Sequence, residues 1–313
     1  MKTILVLGEA ILDMTPVSSA ASGGARFAPA LGGSAYNTAR ALGALGARVA
    51  FAGAVSRDDW GARFRAALVQ RGVDCALLRD SDKPMPLALV SPEGAHGPAF
   101  TLYLAGTAHE DALAPDALPD GAAHVHVSSF HACVAPTGAG VLALMGKARG
   151  RASVSFDPNI RPSVLPPREE ALALVEARVR LSDIVKASVQ DMKWLYPALN
   201  PLEAMAAWSA MGPRLAILTK GELGVTAFAG EARVHGLAPA VEVVDTVGAG
   251  DAFTAALLAE MARADALGPD AAPIEPDALR RWLTFAGACA AWTCARRGAQ
   301  APDRKDIALP GFM

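Results

Sequence analysis

Cysteine is scarce: four occur, Cys75, Cys133, Cys289 and Cys294, irregularly spaced and with no CxxC pair. That argues against a disulfide scaffold and fits reduced thiols in a cytoplasmic protein. Apolar runs are short. None reaches about eighteen residues without a charge or a breaker, so no membrane span is expected. The run after Lys2 meets Glu9 and Asp13 too early to form a signal-peptide core. An excess of one charge is also missing. The formal net charge is −2, and no Lys/Arg-rich run supplies the footprint of a nucleic-acid binder, which leaves small-molecule chemistry. Aromatics are only 6% of a chain that is 52% hydrophobic, and much of the remainder is alanine, a composition suited to close-packed helices. Internal repeats and low-complexity linkers are absent. No GxGxxG follows a strand, which excludes a dinucleotide-binding dehydrogenase of the usual kind.

What the chain does have is alternation. Residues 3–8, 48–55, 124–128, 153–157, 183–186 and 215–219 read as strands, and 34–45, 58–70, 137–148, 169–181, 202–211, 249–263 and 276–294 as helices. Strands alternating with helices predict a three-layer, Rossmann-like α/β fold: a mostly parallel sheet with helices on both faces. At 313 residues the whole chain, 1–313, is expected to form one domain. Two regions break the rhythm. Segments 14–30 and 85–104 read as extended chain joined by Gly/Pro turns, either a small β-lid over the site or plain surface hairpins. Residues 267–277 read as a loop between helices, and the five tryptophans as packing in or around the core.

The densest chemical signal is Val243 to Phe253, where a β-run enters a glycine-bearing turn and leaves as a helix. Unpaired N–H groups of Ala249, Gly250 and Asp251 would converge on one spot that attracts anions, with Gly248 and Gly250 letting the main chain approach a phosphate. Asp251 adds a carboxylate able to take a proton from a hydroxyl, although Asp in such a turn can simply cap a helix. A second stretch, Leu31 to Leu42, turns through Gly32-Gly33 into a helix that presents Asn37. Its amides suit sugar hydroxyls, and they suit an ordinary turn with a cap as well.

Several motifs in order carry a resemblance: Gly8-Glu9 with Asp13, Gly32-Gly33 with Asn37, Gly53 to Asp59, Lys186 to Asp191, Thr219 to Gly224, and Asp245 to Asp251. Through nearly its whole length the chain resembles the ribokinase-like, or phosphofructokinase-B, family of carbohydrate kinases. The resemblance implies that Asp251 is the catalytic base, that the amides of Gly248, Ala249, Gly250 and Asp251 form an anion hole, and that Asp13, Gly32, Gly33 and Asn37 bind the sugar. The stretch Phe156 to Pro162 looks like that of fructokinases and of kinases acting on 2-keto-3-deoxygluconate. It brings in Asn159 and Arg161 on the substrate side, with a surface arginine as the plainer alternative. Lys186, Ser188, Thr219, Gly221, Gly224 and Thr246 are expected on the nucleotide side, with residues 285–291 as the other wall; Lys186 could equally be a strand-end lysine in solvent.

Family members often carry Asn-x-x-Glu where this chain has Ser188 and Asp191, so Asp191 is expected to meet Mg²⁺ through water. ATP and Mg²⁺ follow as cofactors, together with a possible monovalent cation. Phe100 and Tyr103 of the lid are expected to tune the sugar pocket, and the lid could pair two copies of the chain. The implied activity is transfer of the ATP γ-phosphoryl group to a sugar primary hydroxyl. Fructose leads as acceptor, with 2-keto-3-deoxygluconate and ribose as alternatives and a catalytically silent sensor as a different class.

Two patterns are decoys. Residues 137–148 resemble a P-loop, but the glycine spacing is off by one and Ala148 has no hydroxyl for Mg²⁺, so a helix is expected. His124 and His126 share one face of a strand near His131, but no carboxylate completes a metal set.

Overall fold

The computed structural model describes residues 2–19, 25–91 and 99–308. Its elements run β1 (Thr3–Leu7), β2 (Ile11–Ser19), β3 (Ala25–Gly32), α1 (Ser34–Ala44), β4 (Arg48–Ser56), α2 (Asp59–Gln70), β5 (Val73–Asp74) and β6 (Leu78–Ser81). They continue with β7 (Leu87–Ser91), β8 (Ala99–Tyr103), β9 (Ala122–Ser128), α3 (Gly138–Ala148), β10 (Ser153–Asp157), α4 (Arg168–Val179) and β11 (Ile184–Ser188). The last are α5 (Val189–Leu195), α6 (Pro201–Ser209), β12 (Leu215–Thr219), β13 (Val225–Ala229), β14 (Ala232–Gly236), α7 (Ala249–Arg263) and α8 (Pro276–Cys294).

Among the described residues ten strands form one sheet in the order β14-β13-β12-β11-β10-β9-β1-β4-β5, with β6 also on β4. From β12 to β5 every pairing is parallel; β12–β13 and β13–β14 are antiparallel. Burial explains why the parallel strands read as continuous apolar runs. In β1, Ile4 and Val6 pack into one core with residues of α1, α2, α7 and α8, while Leu5 and Leu7 pack into a second with residues of α3, α4, α5 and α6. Neighbouring residues of a strand face opposite ways, so a strand covered on both faces must be apolar throughout. The three-layer expectation is met.

From β1 the chain passes to β4 on one side and later to β9 on the other, and the crevice above the strand ends at such a reversal is where α/β sheets bind ligands. Helix α7 packs between α1 and α8 on one face of the sheet, buried without interruption from Asp251 to Met261. A helix apolar all round belongs in a core, and its alanines let α1 and α8 approach closely.

The lid is a four-stranded sheet in the order β3-β2-β7-β8. Its strands overlap the expected 14–30 and 85–104, but they begin earlier, at Ile11, and residues 20–24 and 92–98 lie outside the described part. Not expected from the sequence were the short strands β5 and β6, the β13–β14 hairpin, and α5, which begins within the stretch read as a nucleotide motif. The P-loop-like stretch is a helix, α3. His124 hydrogen-bonds Ser153 and Ser155 at 2.7 and 2.8 Å, and His126 hydrogen-bonds Ser155 at 2.8 Å, so these two side chains are tied to neighbouring β10. No group of three metal-ligating side chains occurs among the described residues.

Candidate active site

The glycine turn is built as an anchor followed by an open helix end. Gly248 has φ 78, and a Cβ added there would stand 2.5 Å from the Cβ of Ala299, so both the backbone conformation and the space require glycine. Asp245 braces the turn, its carboxylate accepting from the N–H groups of Val247 at 3.0 Å and Gly298 at 2.8 Å. The N–H groups of Val244 and Asp245 both donate to the carbonyl of Cys294 at the end of α8. One expectation needs correcting. The N–H of Ala249 is not open, because it closes the turn on the carbonyl of Thr246 at 3.3 Å. Among the described residues the N–H groups of Gly250 and Asp251 remain without a partner, at the positive end of the fifteen-residue α7.

Asp251 is buried directly below this opening. Ser34 Oγ donates to its Oδ1 at 2.7 Å and Asn37 Nδ2 to its Oδ2 at 2.9 Å, so the first turn of α1 grips both carboxylate oxygens. Burial pushes the Asp251 carboxyl above the usual range, opposed by Asn37, Ser34, Lys186 and Arg161. Glu9, just past β1, accepts from the N–H of Ser34 at 3.0 Å, and burial raises it to about 7. Asp13 on β2 is likewise raised to about 7 by burial, with Arg161 working against the shift. Gly33, at φ 105, leaves room for the carbonyl of Glu9, and Gly32 backs the Asp13 carboxylate.

Beside Asp251, β10 and β11 are joined by a buried ion pair, Lys186 Nζ to Asp157 Oδ2 at 2.7 Å. Burial alone would push the Lys186 ammonium down, but Asp157, Asp251 and Asp191 outweigh it and hold the group above the ordinary lysine range. Burial raises Asp157 to about 6 despite its partner. Lys186 Nζ also donates to the carbonyl of Gly250 at 3.3 Å, so its charge sits under the open amides.

Asp191 is held by the protein through both carboxylate oxygens. Its Oδ2 accepts from the N–H and Oγ of Ser188, at 2.7 and 2.6 Å, in a capping box on α5, and its Oδ1 accepts from the N–H of Ile160 at 2.8 Å. Both oxygens already accept from the protein, which agrees better with a contact to Mg²⁺ through water than with a direct one. Arg161 turns back on its loop, Nη1 donating to Asn159 Oδ1 at 2.8 Å, and its guanidinium lies 4.9 Å over the Phe100 ring. The loop after β10 is thereby tied to the lid.

These groups line one cleft of about 870 Å³. Asp13, Gly33, Asn37, Phe100, Asn159 and Arg161 lie at one end, and Thr219, Gly221, Gly224 and Thr246 at the other. Lys186, Ser188, Asp191 and Gly248 to Asp251 lie between. Tyr103 stands outside it. With Phe100 and Leu102 turned inward, strand alternation turns Tyr103 out, and it is 54% exposed. Of the expected wall at 285–291, Gly287, Ala290 and Ala291 face the cleft while Phe285 is fully buried. Sequence reasoning missed the segment from Leu237 to Val241, which lines the far end, gave no role to Glu9 or Asp157, and read Ser34 only as a cap after the Gly-Gly turn. The polar residue ending β10 was the available signal for Asp157.

The sequence profile described as pfkB family carbohydrate kinase matches residues 1–306. A fructokinase of Rhizobium leguminosarum bv. trifolii is 33% identical over 262 residues, which cover 82% of this chain and 79% of that protein. Among solved structures, Vibrio cholerae O395 fructokinase with fructose, ADP and a calcium ion superposes with a TM-score of 0.82 at 24% identity, covering 98% of both chains. Salmonella enterica aminoimidazole riboside kinase, complexed with aminoimidazole riboside and an ATP analog, gives 0.79 at 25% identity over 95% of both.

Proposed function

The chain belongs to the pfkB family of carbohydrate kinases and is an ATP-dependent sugar kinase; from that premise we propose that it phosphorylates the primary hydroxyl of fructose, with Asp251 as the base. One observation carries this reading: a buried carboxylate shares a cleft with two unpartnered amides at a helix N-terminus and a buried ammonium, next to polar groups fit for a sugar. Asn37 supports the sugar end. Its Nδ2 is taken by Asp251, but its Oδ1 is buried without a partner, an acceptor that a sugar hydroxyl satisfies.

The sugar hydroxyl hydrogen-bonds Asp251 while the amides of Gly250 and Asp251, with Lys186, hold the γ-phosphoryl oxygens. As the sugar oxygen bonds to the γ-phosphorus, the bond from phosphorus to the bridging oxygen breaks, its electron pair leaves with ADP, and the hydroxyl proton passes to Asp251. Asp191 would hold a Mg²⁺ ion through water, and that ion would supply neutralisation of phosphate charge. A monovalent cation belongs to this reading as an activator, tested by assay with and without K⁺. The exposed apolar residues Val17, Phe27, Leu87 and Tyr103 on the lid support pairing of two copies there, and light scattering in solution checks it. Among the described residues no helix is long and apolar enough to cross a membrane, and a cytoplasmic setting suits the four free thiols.

Fructose is favoured over ribose and 2-keto-3-deoxygluconate by the loop from Phe156 to Pro162 and by the fructokinase relative. A coupled ADP-release assay across a sugar panel at fixed ATP tests this. Fructose is expected to give the highest kcat/KM. A higher value for another sugar reassigns the substrate, and ATP binding with no turnover on any sugar favours the sensor class.

A further inference from the structure

Ser34 opens α1, directly after the Gly-Gly turn, and it is buried. Two acids from different parts of the chain hold it. Glu9 Oε1 accepts from its N–H at 3.0 Å, and its hydroxyl donates to Asp251 Oδ1 at 2.7 Å across 217 positions of sequence. The Gly33 conformation fixes the first contact, since a Cβ there would stand 2.5 Å from the carbonyl of Glu9. With the backbone of Ser34 anchored, its Oγ has one carboxylate to serve. Asn37 is in a different position. Its orphaned Oδ1 calls for a hydroxyl donor, so Asn37 has a ligand to serve as well as Asp251, whereas the Ser34 hydroxyl serves Asp251 alone.

We propose that Ser34 is a positioning residue for the base: anchored by Glu9, its hydroxyl keeps Asp251 ionised and turned toward the sugar. The inference rests on the reading of Asp251 as the base. A hydroxyl donating to a carboxylate stabilises the ionised form, and in a buried site such a charge-assisted bond is strong. The charged groups around Asp251 do not replace it. Lys186 of β11 is paired with Asp157 of β10, Arg161 is bonded within its own loop, and Glu9 and Asp13, as acids, oppose ionisation of Asp251.

The test compares Ser34→Ala and Ser34→Thr with the native protein, measuring kcat and kcat/KM for fructose against pH, with Asp251→Asn alongside. Alanine is smaller and compatible with a helix start, and a melting curve checks that the fold is kept. Ser34→Ala is expected to move the acid limb upward by roughly one pH unit in both kcat and kcat/KM, because Asp251 loses one of its two side-chain donors. Below the native limb kcat falls about tenfold with KM for ATP nearly unchanged, and Ser34→Thr restores the limb. An acid limb left in place by Ser34→Ala overturns the role of Ser34, whatever happens to kcat. If Asp251→Asn is inactive in that case, the base assignment stands and this inference alone falls; an active Asp251→Asn removes both.

Discussion

Lys186 and Asp157 form an ion pair of 2.7 Å with both side chains buried, between the anion-binding turn and the sheet. Asp157 ends β10 and Lys186 lies in the middle of β11, and the two strands pair in parallel, so the sheet brings the partners together. A buried pair adds little net stability over an apolar one, but removing a single partner strands a charge.

Lys186→Met is therefore expected to destabilise the protein by about 3–5 kcal/mol at pH 8. The loss shrinks at pH 5.5, where Asp157, already raised to about 6 in the native protein, takes up a proton. Adding Asp157→Asn is expected to recover most of the stability and none of the turnover. Thermal melting at the two pH values and a kinase assay check this, and recovery of activity in the double variant would show that Lys186 has no phosphate to hold.

Glu9 contributes, beside Asp13 and Asp157, to the pH dependence of stability. Its folded carboxyl is raised to about 7 from an ordinary 4.5, chiefly by burial. Between those values the folded state binds more protons than the unfolded one, so this group makes stability fall as pH rises through the window. Glu9→Gln can still accept from the N–H of Ser34 and never ionises. It is expected to melt higher than the native protein at pH 8 and to make the dependence of Tm between pH 5 and 8 shallower. A native-like slope in the variant would remove Glu9 as a source of it.

Gly248→Ala meets a φ of 78 and the Cβ of Ala299 together. It is expected to cost about 1–3 kcal/mol of stability and to raise KM for ATP, because the turn carries the open amides of Gly250 and Asp251. Denaturant melts and ATP titration check both effects.

Most of the sheet was legible because strands covered on both faces must be apolar throughout, and runs such as Thr3–Leu7 have no other use in a chain this size. The β13–β14 hairpin was not, since its short strands follow a glycine loop that reads equally well as a binding segment. Asp251, Asn37 and Lys186 were legible through their motifs, and the fold brings them to one cleft. The capping box of Asp191 was not, because Ser-x-x-Asp spells a capping box and a set of oxygen ligands alike. Tyr103 was misplaced because lid strand alternation depends on which residue of Phe100 to Tyr103 faces in. Ser34 read as a cap, and nothing local reveals a partner 217 positions away.

The most direct measurement of the central claim is turnover by Asp251→Asn with ATP and fructose, set beside calorimetric binding of each ligand. Loss of at least about 10²-fold in kcat, with both ligands bound nearly as in the native protein, is expected of a missing general base. Turnover within tenfold of the native rate would contradict it and leave the carboxylate below the open amides as a helix cap.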